Sequence, residues 1–392
     1  MMVMAKPVNK QRSLFMLMIV QLITNFRGGI ISPILSLFVR SQGLSLAQIG
    51  LLGTASMLGW FIWEPFMGVI ADRWNKRWML AGSLLLTTIL YGVYPMATGL
   101  WFFMVLEFLK TSIMSAYSIP VKALAAELLP SEDRGKAYGR YMTVISLGGM
   151  ISPLIGGYVS EVFGYDLPFY IAAAVGLVGI LAVFSIQYEE PETTSTGNGF
   201  DDMRSVLTGP ILRIFSVRGL FFFNVGFVHN FLPVFLNEST IYSASESQIG
   251  AFFTIFRLAG ATGRSILGDL CDRLGNKKLI IASLLGWAVS YGVLMYTGGI
   301  YLMYFVGMLQ GLSSAAADTS MMLHLISVMS KDRSGLIMGL YSEAENIGGL
   351  ISTPTVGYLY QSMGAGAGMW FVIIALALNA VYSVWAIEED PS

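Results

Sequence analysis

Cysteine is nearly absent: Cys271 stands alone, so no disulfide can form within one chain, and the redox compartment is left open. Histidine is almost as scarce, at two residues, and no His–Cys cluster at metal-ligand spacing occurs, so no metal site is expected. Charge of either sign is thin, with 23 Lys and Arg against 24 Asp and Glu and a net of −1, which excludes a broad basic face for nucleic acid. No glycine loop with a nucleotide-binding lysine and no G-x-S-x-G nucleophile turn is found. An enzyme, an ATP-driven pump and a bound cofactor are therefore not expected. What fills the chain is apolar: 55% of its 392 residues are hydrophobic and only 12% charged, and mean hydropathy is +0.66. A water-soluble fold would lack the polar surface it needs, so the bilayer is the natural solvent.

A helix crosses a hydrocarbon core of roughly 30 Å with about 20 residues. Twelve stretches qualify, at about 14–39, 46–71, 78–97, 100–128, 135–160 and 166–187, then 212–237, 246–270, 278–297, 299–328, 334–360 and 366–386. The basic amino terminus ahead of Leu14 resembles a signal peptide, but the apolar run that follows far exceeds a signal's core and reads as an uncleaved first helix. Connections are short except for a polar, acidic, Thr- and Gly-containing stretch. The expected organisation is thus a six-helix half at 1–187, a linker at 188–211 and a second six-helix half at 212–392.

Lysine and arginine cluster on one side of this arrangement, at Lys6, Lys10 and Arg12, Arg73, Lys76 and Arg77, Arg134 and Lys136, Arg273, Lys277 and Lys278, and Lys331 and Arg333. The opposite loops offer only Arg40. The positive-inside rule then places both termini and the linker in the cytoplasm of a multi-pass plasma (inner) membrane protein. The halves also repeat each other in register at an offset of 200 residues. Gln48-Ile49-Gly50 recurs as Gln248-Ile249-Gly250, Gly68 with Asp72-Arg73 as Gly268 with Asp272-Arg273, and Gly139 as Gly339. GGMISPLIGGY from Gly148 recurs as GGLISTPTVGY from Gly348.

Two motifs carry a family resemblance across this frame. The loop after the second span, GVIADRWNKR from Gly68 to Arg77, resembles the G-x-L-A-D-R-x-G-R-K signature of the major facilitator superfamily, with Asn75 in place of the second glycine. In the fifth span, Gly139, Gly148, Ser152-Pro153 and Gly156-Gly157 follow the spacing of that family's antiporter motif, with Ser152 replacing a glycine. The resemblance implies an all-α membrane protein with twelve transmembrane helices in two pseudo-symmetric six-helix bundles, similar to the drug/proton antiporter branch. It also implies that Asp72 and Arg73 help latch the halves. Physically, Gly68 would allow a close helix approach, Asp72 would face the N-terminus of the eleventh helix, and Arg73 could pair with Glu127. Gly139, Gly148, Pro153 and Gly157 would let the fifth and eighth helices pack backbone to backbone and suppress leak. The competing readings are topology-setting charges for the loop motif and ordinary small-residue packing for the fifth span. A third family motif, R-x-x-Q-G in the fourth span, is absent. Its place holds Glu107-Phe108-Leu109-Lys110-Thr111, so the arginine linked to proton coupling in relatives is missing.

Ionisable groups near mid-span cost about 2.5–3.5 kcal/mol each by insertion scales, so they are the candidates for function. Arg27 lies roughly 20 Å into the first span, at 1.5 Å per residue. Glu107 and Lys110, three residues apart, share a face of the fourth. Spans one, four, seven and ten line the cavity in this family, so Arg27, Glu107, Lys110, Asn25 and Tyr117 on one side and His229 and Arg257 on the other are the candidate substrate contacts. Glu107, Asp318, Glu343 and Glu345 are the candidate proton carriers. Glu343 and Glu345, about 200° apart around a helix, should not face one cavity. Glu64 and Arg264, matched in the repeat, read as inter-helix or gate ion pairs. The alternative for this set is that the charges merely neutralise one another, Arg27 with Glu107 and Arg257 with Asp318 or Glu343.

The expected function is a monomeric, proton-coupled secondary transporter working by alternating access, exporting an amphipathic drug or metabolite, with protons, a small-molecule substrate and the lipid bilayer as its partners. Organic-anion uptake or exchange, and lipid flipping on the same fold, are the competing readings.

Overall fold

The computed structural model describes residues 10–129, 134–187, 207–329 and 334–388. Among these residues every regular element is helical. The amino-terminal half comprises α1a (Lys10–Ile31), α1b (Ile34–Ser41), α2 (Leu46–Arg73), α3 (Lys76–Val93), α4 (Leu100–Leu128), α5 (Arg134–Phe163) and α6 (Asp166–Phe184). The carboxy-terminal half follows with α7a (Gly209–Asn230), α7b (Leu232–Glu238), α8 (Glu246–Leu274), α9 (Asn276–Tyr296), α10 (Ile300–Val328), α11 (Ser334–Met363) and α12 (Ala365–Ala386). The linker expected at 188–211 falls largely outside the described residues, and the seventh span starts at Gly209, with Pro210 in a first turn that needs no donor from it.

Among the described residues, ten spans are long and apolar enough to cross a membrane by composition. The other two, α8 and α11, are 29 and 30 residues long. They fall short on hydropathy because they carry the mid-span charges Arg257, Arg264, Glu343 and Glu345. The bundle periphery is apolar and edged by exposed aromatics. Trp74, Trp78 and Trp385 lie toward the end with the basic loops, and Trp101, Tyr296 and Tyr301 toward the opposite end, as interfacial belts require.

The repeat reaches the backbone. Ser45 and Ser245 each cap a helix in a reciprocal box, with Gln48 and Gln248. Gly99 and Gly299 precede α4 and α10 with φ of 76° and 105°, a region closed to most side chains. Two breaks escape a hydropathy reading. The first span is interrupted at Ser32-Pro33 and the seventh at Phe231, just before Leu232-Pro233, again 200 residues apart. Proline supplies no N–H and its ring crowds the carbonyl four residues back, so α1b and α7b can deviate from the helices they continue.

The halves meet through glycines at the end opposite the basic loops. A Cβ on Gly157 would lie 2.2 Å from the Glu246 carbonyl oxygen, and one on Gly50 2.6 Å from that of Thr353. α5 thus abuts α8 and α2 abuts α11 with nothing but backbone between them. Arg40 on α1b pairs with Glu238 on α7b at 2.6 Å, Gln361 Oε1 accepts from the Leu46 N–H, and the Tyr165 hydroxyl donates to Glu246. This end is closed.

Candidate functional site

Toward the basic end the helices part around two adjoining cavities. The larger, about 900 Å³, runs from Asn25 and Trp60 past Tyr117 and Met114 to Lys122 and Leu129 at the basic end of α4. The deeper, about 470 Å³, shares Thr24, Asn25, Trp60 and Met114 with it and ends beneath the closed face. Arg27, Glu107 and Lys110 from one half and His229, Asn230 and Arg257 from the other line this deeper space.

Glu107 is buried and holds two donors: Lys110 Nζ at 2.5 Å and the Tyr94 hydroxyl at 2.6 Å. The one-turn spacing on α4 makes the ion pair local, and Tyr94, in the turn after α3, completes it. Arg27 is only 2% exposed, yet it meets no carboxylate within 4 Å among the described residues. Its guanidinium lies over the Tyr91 ring at 5.0 Å, one nitrogen is 3.4 Å from Thr87 Oγ1, and Nε has no hydrogen-bond partner. Arg257 donates to the Gly149 carbonyl at 3.3 Å and likewise meets no carboxylate within 4 Å among the described residues. His229 Nδ1 sits 3.5 Å from Ser32 Oγ, beside the helix break. Tyr117 donates to Gln21 Oε1 at 2.8 Å and belongs to the larger cavity.

A second cluster occupies the carboxy-terminal half. Arg218 donates to Asp318 at 2.6 Å and grips Glu345 through two nitrogens at 2.7 and 2.8 Å. The Phe222 and Tyr341 rings lie 5.0 and 5.1 Å from its guanidinium carbon. Arg264 approaches the other Asp318 oxygen at 3.6 Å. Arg218 and Asp318 line a cavity of about 190 Å³ that shares His229 with the central one, so the two clusters are connected through α7a.

A model of the Major Facilitator Superfamily matches residues 17–240 and again 214–392, one match for each half. The chain belongs to the major facilitator superfamily. This superfamily member is 24% identical over 397 residues to Multidrug resistance protein 2 of Bacillus subtilis, covering 97% of each chain. It is 26% identical over 403 residues to Multidrug resistance protein MdtG of Serratia proteamaculans, covering 99% of this chain and 96% of that one. Its fold matches the crystal structure of a bacterial homolog of the human lysosomal transporter Spinster, inward-facing and occupied, with a TM-score of 0.80, 15% identity and 97% of both chains covered. The nucleoside transporter NupG matches with a TM-score of 0.77, 14% identity and 95% and 97% coverage. The protein is therefore a multi-pass membrane carrier of a small molecule, built as two six-helix bundles.

Within this superfamily member the residues singled out by sequence divide into groups. Arg27, Glu107, Lys110, Asn25, His229 and Arg257 converge on the deeper cavity, with Tyr117 next to it. The pairing of Arg27 with Glu107 is not made, because Lys110 and Tyr94 already occupy that carboxylate. Arg257 pairs with neither Asp318 nor Glu343; Asp318 belongs to Arg218 instead. Glu345 is held by Arg218, while Glu343 accepts from Asn346, which also lies 3.5 Å from Glu64 of α2. Glu127 meets Lys76 at 3.2 Å, while the side chains of Asp72 and Arg73, and Gly139, lie outside what is described. Among the described residues nothing lies within 4 Å of a Cβ on Gly68. Along α5, Gly157 and Pro153 meet α8, but Gly148 and Gly156 press on the Leu22 and Ile30 carbonyls of α1a instead. Half of that stripe therefore serves packing within one bundle. Arg218 is a functional candidate that the sequence analysis did not single out. The earlier start at Gly209 carries it nine residues deep, where the insertion-cost argument applies in full.

Proposed function

We propose that this carrier is a proton-coupled secondary transporter that exports an amphipathic small molecule by alternating access, with the basic loops in the cytoplasm and the single chain as the working unit. The observation that carries the reading is that ionisable groups from both bundles converge on a cavity open toward the basic face and shut at the other by glycine contacts. Apolar side chains such as Leu52, Met57 and Met114 line the same cavity and suit an amphipathic body. The Arg218–Asp318–Glu345 cluster supplies the coupling. Protonating either carboxylate weakens its hold on the guanidinium, and the side chains join α7a, α10 and α11, which rearrange together when the halves rock. The Bacillus and Serratia relatives are named multidrug resistance proteins, which supports the direction.

The test is flux in proteoliposomes under an imposed pH gradient, with Asp318→Asn beside the native chain. Gradient-driven transport by the native chain, with the variant retaining counterflow but no longer responding to the gradient, is the expected outcome. Transport indifferent to the gradient in the native chain overturns proton coupling.

A further inference from the structure

The membrane-embedded cations fall into two classes. Lys110 and Arg218 each have a carboxylate within 2.6 Å and Arg264 has one at 3.6 Å, whereas Arg27 and Arg257 have none within 4 Å among the described residues. Arg27 is the sharper case: it is 2% exposed, its Nε lacks a hydrogen-bond partner among the described residues, and its guanidinium meets a threonine hydroxyl at 3.4 Å and an aromatic face. Among the described residues Arg257 donates to the Gly149 carbonyl, at 3.3 Å, and to no carboxylate. A guanidinium keeps its charge at any accessible pH, so it cannot escape burial by losing its proton as lysine can. A charge kept in such a place calls for a counter-charge. Both arginines line the same cavity of about 470 Å³, and the one carboxylate there, Glu107, is already held by Lys110 and Tyr94.

We infer that this cavity is an anion site: it takes a soluble amphipathic molecule bearing an oxyanion, a carboxylate, sulfonate or phosphate, which Arg27 and Arg257 neutralise while the apolar body lies along Met57, Trp60 and Met114. The inference rests on reading the central cavity as the substrate site and adds the charge class of the substrate. Bifurcated guanidinium donors match oxyanion geometry, and low surrounding polarity strengthens the contact. Because Arg27 belongs to one bundle and Arg257 to the other, a bound anion links the two halves across the cavity. Arg27 and Arg257 are like charges lining the same space, and a bound anion offsets their repulsion. Substrate charge and closure of the basic end are thereby tied together.

The probes are 2-naphthoate and 2-naphthalenesulfonate, compared with methyl 2-naphthoate and 2-naphthylmethylammonium, binding to the full chain in nanodiscs of zwitterionic lipid. Both anions should bind, the ester at least tenfold more weakly and the ammonium compound more weakly still. Arg27→Gln and Arg257→Gln should each lose tenfold or more for the anions, and Lys278→Gln, exposed in the first turn of α9 and away from the cavity, should lose nothing. Equal or tighter binding of the ester or the ammonium compound, binding of none of the four, or native affinity in both cavity variants overturns the inference. So does loss of naphthoate binding when the lipid is made anionic at constant ionic strength, since a headgroup would then own the site. Should the variants fail to fold, the ligand series on the native chain decides alone. Gradient-driven export of a cation without anion binding would sink this inference and leave the transport reading standing, whereas anion binding without gradient response would do the reverse.

Discussion

Arg218 holds two carboxylates from two different helices, at side-chain exposures of 10% for the arginine, 30% for Asp318 and 24% for Glu345. Its worth to the fold is therefore asymmetric. Keeping the cluster whole contributes little net stability, because desolvation offsets most of the attraction, but removing the cation leaves two carboxylates facing one another in a low-polarity site. Arg218→Gln should cost about 3–5 kcal/mol. Adding Asp318→Asn and Glu345→Gln should return most of that loss, since the neutral amides no longer repel. Thermal unfolding of the single and triple variants in detergent checks this, and a triple variant no more stable than the single would show that the cluster acts through packing of Phe222 and Tyr341 instead. Depth along a span was enough to flag Arg27, Glu107, Lys110 and Arg257 from sequence. The partners were not legible, because they arrive from helices far away in the chain, 100 residues from Arg218 to Asp318 and 127 to Glu345. Periodicity along one helix has no access to that information.

At the scale of elements, the spans were legible because a bilayer imposes a length and a polarity, and the offset of 200 residues doubles every signal. Their breaks and contacts were not. Pro33 and Pro233 lie inside apolar runs that hydropathy reads as continuous, and which glycine meets which neighbour depends on helix rotation. The consequence is sharpest on α5, where the motif spacing covers two different interfaces. Gly157 faces backbone at 2.2 Å, a clash that no side-chain rotation relieves, whereas a Cβ on Gly82 of α3 meets nothing within 4 Å. Gly157→Ala should therefore push α5 from α8 and expose the cavity at its closed end, while Gly82→Ala should leave it shut. Ser36 is 4% exposed and lines the deeper cavity, so Ser36→Cys in a Cys271→Ser background reports the change through a membrane-impermeant maleimide. Labelling at least several-fold faster with Gly157→Ala is expected, and equal rates in both glycine variants would mean that the α5–α8 contact is not what seals this end.

Across the whole molecule, closure at the end opposite the basic loops includes two contributions that respond differently to solution conditions. One is the interlocked backbone of α2 with α11 and α5 with α8, which is insensitive to salt. The other is Arg40 with Glu238, which ties α1b to α7b beyond the two proline breaks. Its side chains are 36% and 39% exposed, so the pair belongs with surface ion pairs, worth about 0–1 kcal/mol and screened over a Debye length of about 8 Å at physiological salt. A contribution of that size changes a two-state population by no more than about fivefold. Arg40→Gln should accordingly shift the protein toward the state open at this end by about fivefold or less at low salt. High salt should bring the native chain to the same position, and Arg40→Glu combined with Glu238→Arg should restore the native balance. Distances between spin labels on the two outer helix ends measure the populations directly. A swing beyond tenfold, or one that survives high salt, would mean that charge rather than glycine packing holds the carrier shut, and the small-residue contacts would then have to be reread as scaffolding for an electrostatic latch.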